Sequence, residues 1–264
     1  MTQTDACRLL AGKVLFLAGA GPQIGAATAL IAAREGARVA LVARRTETAE
    51  AIATRIVDAG GDAIALECDL TADDDVRAAL DATVAELGPV DTVFYNAAYY
   101  DNRQADIEID EAVWGKSMAV NLEGAMRVAR LTIPSMVERG RGSFVFTSSA
   151  ASIVAGETRF GYQVSKAGLN AVTRFLAGKY GRRGVRANAV LPFVLEGNVG
   201  SAAASLNCLG RSATADEIGE AVVFLLSERA SVITGQIIHL DGGLFVRAPW
   251  PTPPAQPRMT GPEV

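Results

Sequence analysis

Val14-Leu15-Phe16-Leu17-Ala18, followed by Gly19-Ala20-Gly21-Pro22-Gln23-Ile24-Gly25 and a helical stretch from about Gln23 to Glu35, decides the fold. Five consecutive apolar residues read as a strand buried on both faces. The glycines permit a tight turn and let backbone come close to a pyrophosphate, which would sit at the N-terminus of the following helix. A plain strand-to-helix turn also uses glycine, so the neighbouring sequence has to decide between the two.

Working outward, the same unit repeats. Arg38 to Ala43, Ala63 to Glu67, Val90 to Tyr95, Ser143 to Thr147, Val185 to Leu191 and Gln236 to Leu240 read as strands. Helical patterns separate them: Thr46 to Ala59, a helix beginning near Thr71, a long region ending at Arg139, Phe160 to Tyr180, and Thr214 to Ser227. Nearly continuous apolar strands alternating with helices predict an α/β, Rossmann-type, doubly wound parallel sheet of about seven strands, with helices on both faces. One such domain is expected over residues 12–247, preceded by an extension at 1–11. Residues 248–264 carry Pro249, Pro251, Pro253, Pro254, Pro257 and Pro262, and are expected to be a tail without helix or central strand.

Composition narrows the function. The formal net charge of −4 argues against a nucleic-acid partner. No apolar run approaches the ~20 residues of a membrane helix. Met1 to Leu10 carries Asp5 and Arg8 and lacks the apolar core of a signal peptide. Three cysteines without metal-like spacing predict free thiols and a cytoplasmic location. The single histidine, His239, reads as a packed residue of the last strand, and no metal site is expected.

Two clusters suggest chemistry. At the end of the second strand, where an acid would bind the ribose 2′-hydroxyl of NAD, the chain has Arg44 and Arg45. Guanidinium groups suit a 2′-phosphate, so NADP is expected in preference to NAD. Tyr162 and Lys166 lie four residues apart in a helical pattern and so share a face. An ammonium nearby would lower the tyrosine pKa from its usual ~10 and make the phenol a proton donor and acceptor for carbonyl/alcohol chemistry.

With these motifs in place, residues 12–247 resemble the short-chain dehydrogenase/reductase family. Gly19 and Gly25 match its glycine loop, Asp69 its adenine-contacting acid, and Asn96-Ala97-Ala98 its Asn-Ala-Gly segment. Asn121 matches its helix asparagine, and Asp241-Gly242-Gly243 its last motif. Ser149 precedes Tyr162 by the family's serine-to-tyrosine spacing. The resemblance implies a catalytic set of Asn121, Ser149, Tyr162 and Lys166. Tyr162 would be the general acid/base, Ser149 would polarise the substrate oxygen, Lys166 would lower the tyrosine pKa and hold the nicotinamide ribose, and Asn121 would hold a relay water. The cofactor would contact Gly19, Gly21, Gln23, Ile24, Gly25, Arg44, Arg45, Asp69, Leu70, Asn96, Ala97, Ala98, Tyr162, Lys166, Pro192 and Val194. A homo-oligomer, tetramer or dimer, is also implied.

Some positions depart from the family pattern. Ala18 replaces a threonine, Gln23 and Ala98 replace glycines, and Phe193 follows Pro192 in place of the common glycine. Gln23 is expected to narrow the pyrophosphate site. The loops after strands four to six offer Tyr99, Tyr100, Ser152, Ile153, Val154, Phe160, Phe193, Val194 and Leu195. From them, with Ser149, a substrate pocket of Tyr99, Ser149, Ile153 and Phe193 is expected. No basic cluster is evident there, so the substrate is expected to be an uncharged, rather hydrophobic ketone or secondary alcohol. A short lid is expected near residues 193–210. A lyase or epimerase on the same fold, and a non-catalytic nucleotide-sensing module, remain alternative readings.

Overall fold

The computed structural model describes residues 8–101, 107–154, 159–193 and 206–246. Residues 1–7, Val194, Leu195 and most of the expected lid, and the Pro-rich tail lie outside the described residues.

Seven parallel strands form one sheet: β1 (Val14–Ala18), β2 (Arg38–Ala43), β3 (Ala63–Glu67), β4 (Thr92–Tyr95), β5 (Gly142–Thr147), β6 (Val185–Pro192) and β7 (Ile237–Leu240). Their order across the sheet is β3-β2-β1-β4-β5-β6-β7. The order reverses between β1 and β4, which opens a crevice at the carboxyl ends of the central strands. Among the described residues, the α-helices are α1 (Ile24–Arg34), α2 (Glu47–Asp58), α3 (Asp73–Leu87), α4 (Glu111–Met118), α5 (Gly124–Glu138), α6 (Phe160–Tyr180) and α7 (Ala215–Leu226).

Alternation along β1 explains why both faces are covered. Leu15 and Leu17 join Ile31, Ile52 and Val222 in a core beneath α1, α2 and α7. Val14 and Phe16 join Val76, Val128 and Leu169 in a core beneath α3, α5 and α6. Every residue of β1 is buried, as a central parallel strand requires.

Three local features depart from the sequence pattern. The fourth strand starts at Thr92, because Val90 and Asp91 serve as anchors below it. Asp91 is buried and accepts from Val14 N–H and from the guanidinium groups of Arg139 and Arg141. The long helical region is two helices joined by a π-turn, Ala119–Glu123. The extra residue in that turn carries Asn121 into the interior, where it is fully buried. His239, expected to be packed, is 39% exposed on edge strand β7, with Nδ1 3.6 Å from Asp241.

Candidate active site

The crevice is a single cleft of about 1490 Å³ running from the glycine turn to the start of α6. That exceeds the roughly 300–1,000 Å³ typical of a pocket for one drug-sized ligand. It has room for a dinucleotide and a small substrate together.

The glycine turn is fixed by close backbone packing. Gly19 has φ +96°, and a Cβ there would fall 2.4 Å from the Ala97 nitrogen. A Cβ on Gly25 would fall 2.9 Å from the Gly19 carbonyl oxygen. Asn96 closes the arrangement. Its amide donates to the Gly19 carbonyl at 3.0 Å, and its own carbonyl accepts from the Thr147 hydroxyl at 3.0 Å. One side chain thus ties the ends of β1, β4 and β5 together. No side chain caps α1, and its first turn has no acid, so its positive end faces the cleft uncompensated. Gly19, Gly21, Gln23, Ile24, Gly25, Arg44, Arg45, Asp69, Leu70, Asn96, Ala97, Ala98 and Pro192 all line this cleft. Asp69 sits in a turn: its carboxylate accepts the Thr71 N–H at 2.9 Å and the Thr71 hydroxyl at 2.7 Å. Those bonds, with a smaller contribution from Arg44, hold its carboxyl below the usual range. These groups suit a nicotinamide dinucleotide: an open helix N-terminus for its pyrophosphate and two guanidinium groups at the ribose end.

At the other end, Ser149, Tyr162 and Lys166 line the same cleft. Ser149 follows β5 and caps a short turn by accepting the Ala151 N–H at 3.2 Å. Tyr162 opens the first turn of α6, where its hydroxyl interacts with those of Ser149 and Tyr100. The Lys166 ammonium lies 5.6 Å from the centre of the Tyr162 ring and donates to the Thr147 carbonyl at 2.7 Å. The expectation that Lys166 lowers the Tyr162 pKa does not hold in this state. Burial, and next the neighbouring Tyr100, push the phenol well above its ordinary value. Burial also pushes the lysine down, to about 7. The ammonium faces a backbone carbonyl and the tyrosine ring, so desolvation outweighs attraction for both groups.

Asn121 does not line the cleft. Its carbonyl accepts the Tyr99 N–H at 2.6 Å, and its amide donates to the Tyr99 carbonyl at 2.9 Å and to the Ser165 hydroxyl at 3.0 Å. Ser165 in turn donates to the Tyr162 carbonyl at 2.8 Å. Asn121 therefore joins the loop after β4 to the helix of Tyr162. Ser148 and Ser152 bond to Asn170 and to each other, as a structural group beneath the site.

The expected substrate pocket shifts by one residue. The Tyr99 ring lies under the Lys116 ammonium, 4.7 Å away, and Tyr100 faces the cleft in its place. Ile153 is 49% exposed and lies outside the cleft lining, whereas Ser149 and Phe193 line it. Arg159 and Ala151 are among the lining residues missed in the sequence. Arg159 is the one non-glycine residue with positive φ (+67°) among the described residues, and its guanidinium lies 5.3 Å from the centre of the Tyr100 ring. Its place immediately before a helix, three residues ahead of Tyr162, was the available signal.

Such a fold with such a cleft defines a nucleotide-dependent oxidoreductase, and the known proteins agree. The family model described as enoyl-(acyl carrier protein) reductase matches residues 19–245. D-threitol dehydrogenase of Mycolicibacterium smegmatis is 35% identical over 90% of this chain and 95% of its own. (+)-Borneol dehydrogenase 1 of Salvia officinalis is 33% identical over 91% and 96%. A Burkholderia xenovorans crystal structure assigned to the short-chain dehydrogenases/reductases superposes with a TM-score of 0.86 at 29% identity, covering 92% of this chain and all of that one. The chain belongs to the short-chain dehydrogenase/reductase family. It is a nicotinamide-dependent enzyme acting on CH–OH and C=O groups.

Proposed function

We propose that the enzyme interconverts an uncharged, rather hydrophobic secondary alcohol and its ketone, with NADP preferred over NAD. The observation that carries this reading is the shared cleft: Ser149 and Tyr162 at one end, Arg44 and Arg45 at the other. Bound nicotinamide supplies the hydride acceptor or donor. In oxidation, Tyr162 receives the alcohol proton while Ser149 holds the same oxygen; in reduction, Tyr162 returns it. Lys166 would hold the nicotinamide ribose. Asn121 anchors the loop after β4 to the helix of Tyr162.

Arg44 and Arg45 flank the ribose end, and the cleft there also includes Glu47, at the start of α2. Guanidinium groups pair bidentately with a 2′-phosphate, which favours NADP here. Tyr100, Ala151 and Phe193 give the substrate end an apolar wall. The relatives named for D-threitol and (+)-borneol are dehydrogenases of uncharged alcohols, of which (+)-borneol is the hydrophobic one. Exposed Met126 and Phe175, beside an apolar groove between α5 and α6, support a homo-oligomer, tetramer or dimer. Free thiols at Cys68 and Cys208 accord with the cytoplasm. Among the described residues, no helix is long and apolar enough to cross a membrane.

Initial rates on a panel of secondary alcohols, with NADP and NAD in parallel, test the proposal. Higher kcat/KM with NADP is expected, and a clear preference for NAD would overturn the cofactor assignment.

A further inference from the structure

Tyr100 sits where a second substrate oxygen would be read. Its neighbours on both sides are fixed by buried side chains. Asn121 holds the backbone of Tyr99 at both its N–H and its carbonyl. Asp101 is 1% exposed and accepts the Tyr162 N–H at 3.1 Å. A residue pinned before and after has little freedom, so the Tyr100 ring is delivered onto Tyr162. The two rings stack with centroids 4.7 Å apart and planes 24° from parallel. Arg159 lies over the Tyr100 ring and holds it further. Yet Tyr100 is 54% exposed and lines the cleft, which leaves it open to a ligand.

The two phenolic hydroxyls interact with each other, so Tyr100 stands beside the atom that would meet the reacting oxygen. Two oxygens on adjacent carbons of a gauche diol lie close enough together to meet one phenol each. When a substrate oxygen takes the Tyr162 and Ser149 hydroxyls, the Tyr100 hydroxyl loses its partner in the site. A second hydroxyl one carbon away from the reacting carbon restores that bond, and a hydroxyl farther off does not reach it. We propose that Tyr100 is a specificity-determining residue that receives the neighbouring hydroxyl of a vicinal diol, or of the α-hydroxyketone formed from it.

This inference rests on the alcohol/ketone reading of the site and deepens it. The products balance simply: the reacting carbon gives its hydride to the nicotinamide and its hydroxyl proton to Tyr162, while the second hydroxyl is unchanged.

Purified enzyme with cofactor is assayed on cis-cyclohexane-1,2-diol, cyclohexane-1,3-diol and cyclohexanol. Because water competes for a half-exposed phenol, the gain is set at the modest end for a hydrogen bond. The 1,2-diol should exceed cyclohexanol in kcat/KM by about tenfold or more, with the 1,3-diol close to cyclohexanol. Tyr100→Phe should bring the 1,2-diol to cyclohexanol ratio to within about threefold of one, whatever the absolute rates. A wild-type ratio already near one, or a high ratio that survives Tyr100→Phe, would overturn the role of Tyr100. Failure of all three alcohols with both cofactors would instead sink the alcohol reading beneath it.

Discussion

Asn121 clamps Tyr99 by both of its backbone groups, accepting from its N–H at 2.6 Å and donating to its carbonyl at 2.9 Å. The π-turn that carries Asn121 inward exists on one helix pair, and the loop it grips belongs to the end of β4. The clamp, together with Asp101 accepting the Tyr162 N–H, ties the loop after β4 to the helix bearing Tyr162.

Replacing Asn121 with alanine removes three hydrogen bonds and strands part-buried polar groups of Tyr99. A loss of stability on the order of 2–3 kcal/mol follows. Urea denaturation checks this: the midpoint should fall with the slope unchanged. An unchanged midpoint would show that the clamp contributes nothing to the fold.

Tyr100 and Arg159 push the Tyr162 phenol in opposite directions. Tyr100 raises its pKa through charge and hydrogen bonding, and Arg159 lowers it by charge. Alcohol oxidation needs the phenolate, and the Tyr162 pKa lies well above its ordinary value, so kcat/KM is still rising at the alkaline end of the profile. Tyr100→Phe should therefore move the rising limb to lower pH, and Arg159→Leu should move it to higher pH. Profiles of kcat/KM against pH for the two variants decide it, and shifts of the same sign would refute the assignment.

Much of this was legible in the sequence because it depends on local pattern. The strand over Val14–Ala18, the glycine turn after it and the helix over Phe160–Tyr180 follow from apolar runs and glycine placement. Ser149, Tyr162 and Lys166 come together because a strand end and one helix face are enough to bring them there. What the sequence hid depends on direction. Neighbouring loop residues point to different sides, so Tyr99 and Tyr100 could not be told apart until Asn121 was seen holding the backbone of Tyr99. Arg159 carried no motif; its left-handed backbone and its place over Tyr100 are tertiary facts. The pKa of Tyr162 went the other way because spacing reports proximity to Lys166, and burial is invisible to spacing.

Lys166 gives a stability signature of its own. Its pKa falls from 10.5 to about 7 on burial, so between those values the unfolded chain holds a proton that the folded enzyme lacks. Stability from this group therefore rises as pH rises from about 7 towards 10.5. In cofactor-free enzyme, wild type should gain on the order of 2–4 kcal/mol relative to Lys166→Met across that window. Denaturation of both proteins at a series of pH values measures the difference. A flat difference, or one that falls with pH, would contradict the buried, weakly basic lysine.

The central claim is that Tyr162 moves the proton in a site whose cofactor end stands independently of it. Removing one hydroxyl tests it most directly. Tyr162→Phe should lower kcat for alcohol oxidation by about 10² or more while NADP titration gives a dissociation constant within about threefold of wild type. Turnover retained at near wild-type rate, with the cofactor bound as before, would contradict the account.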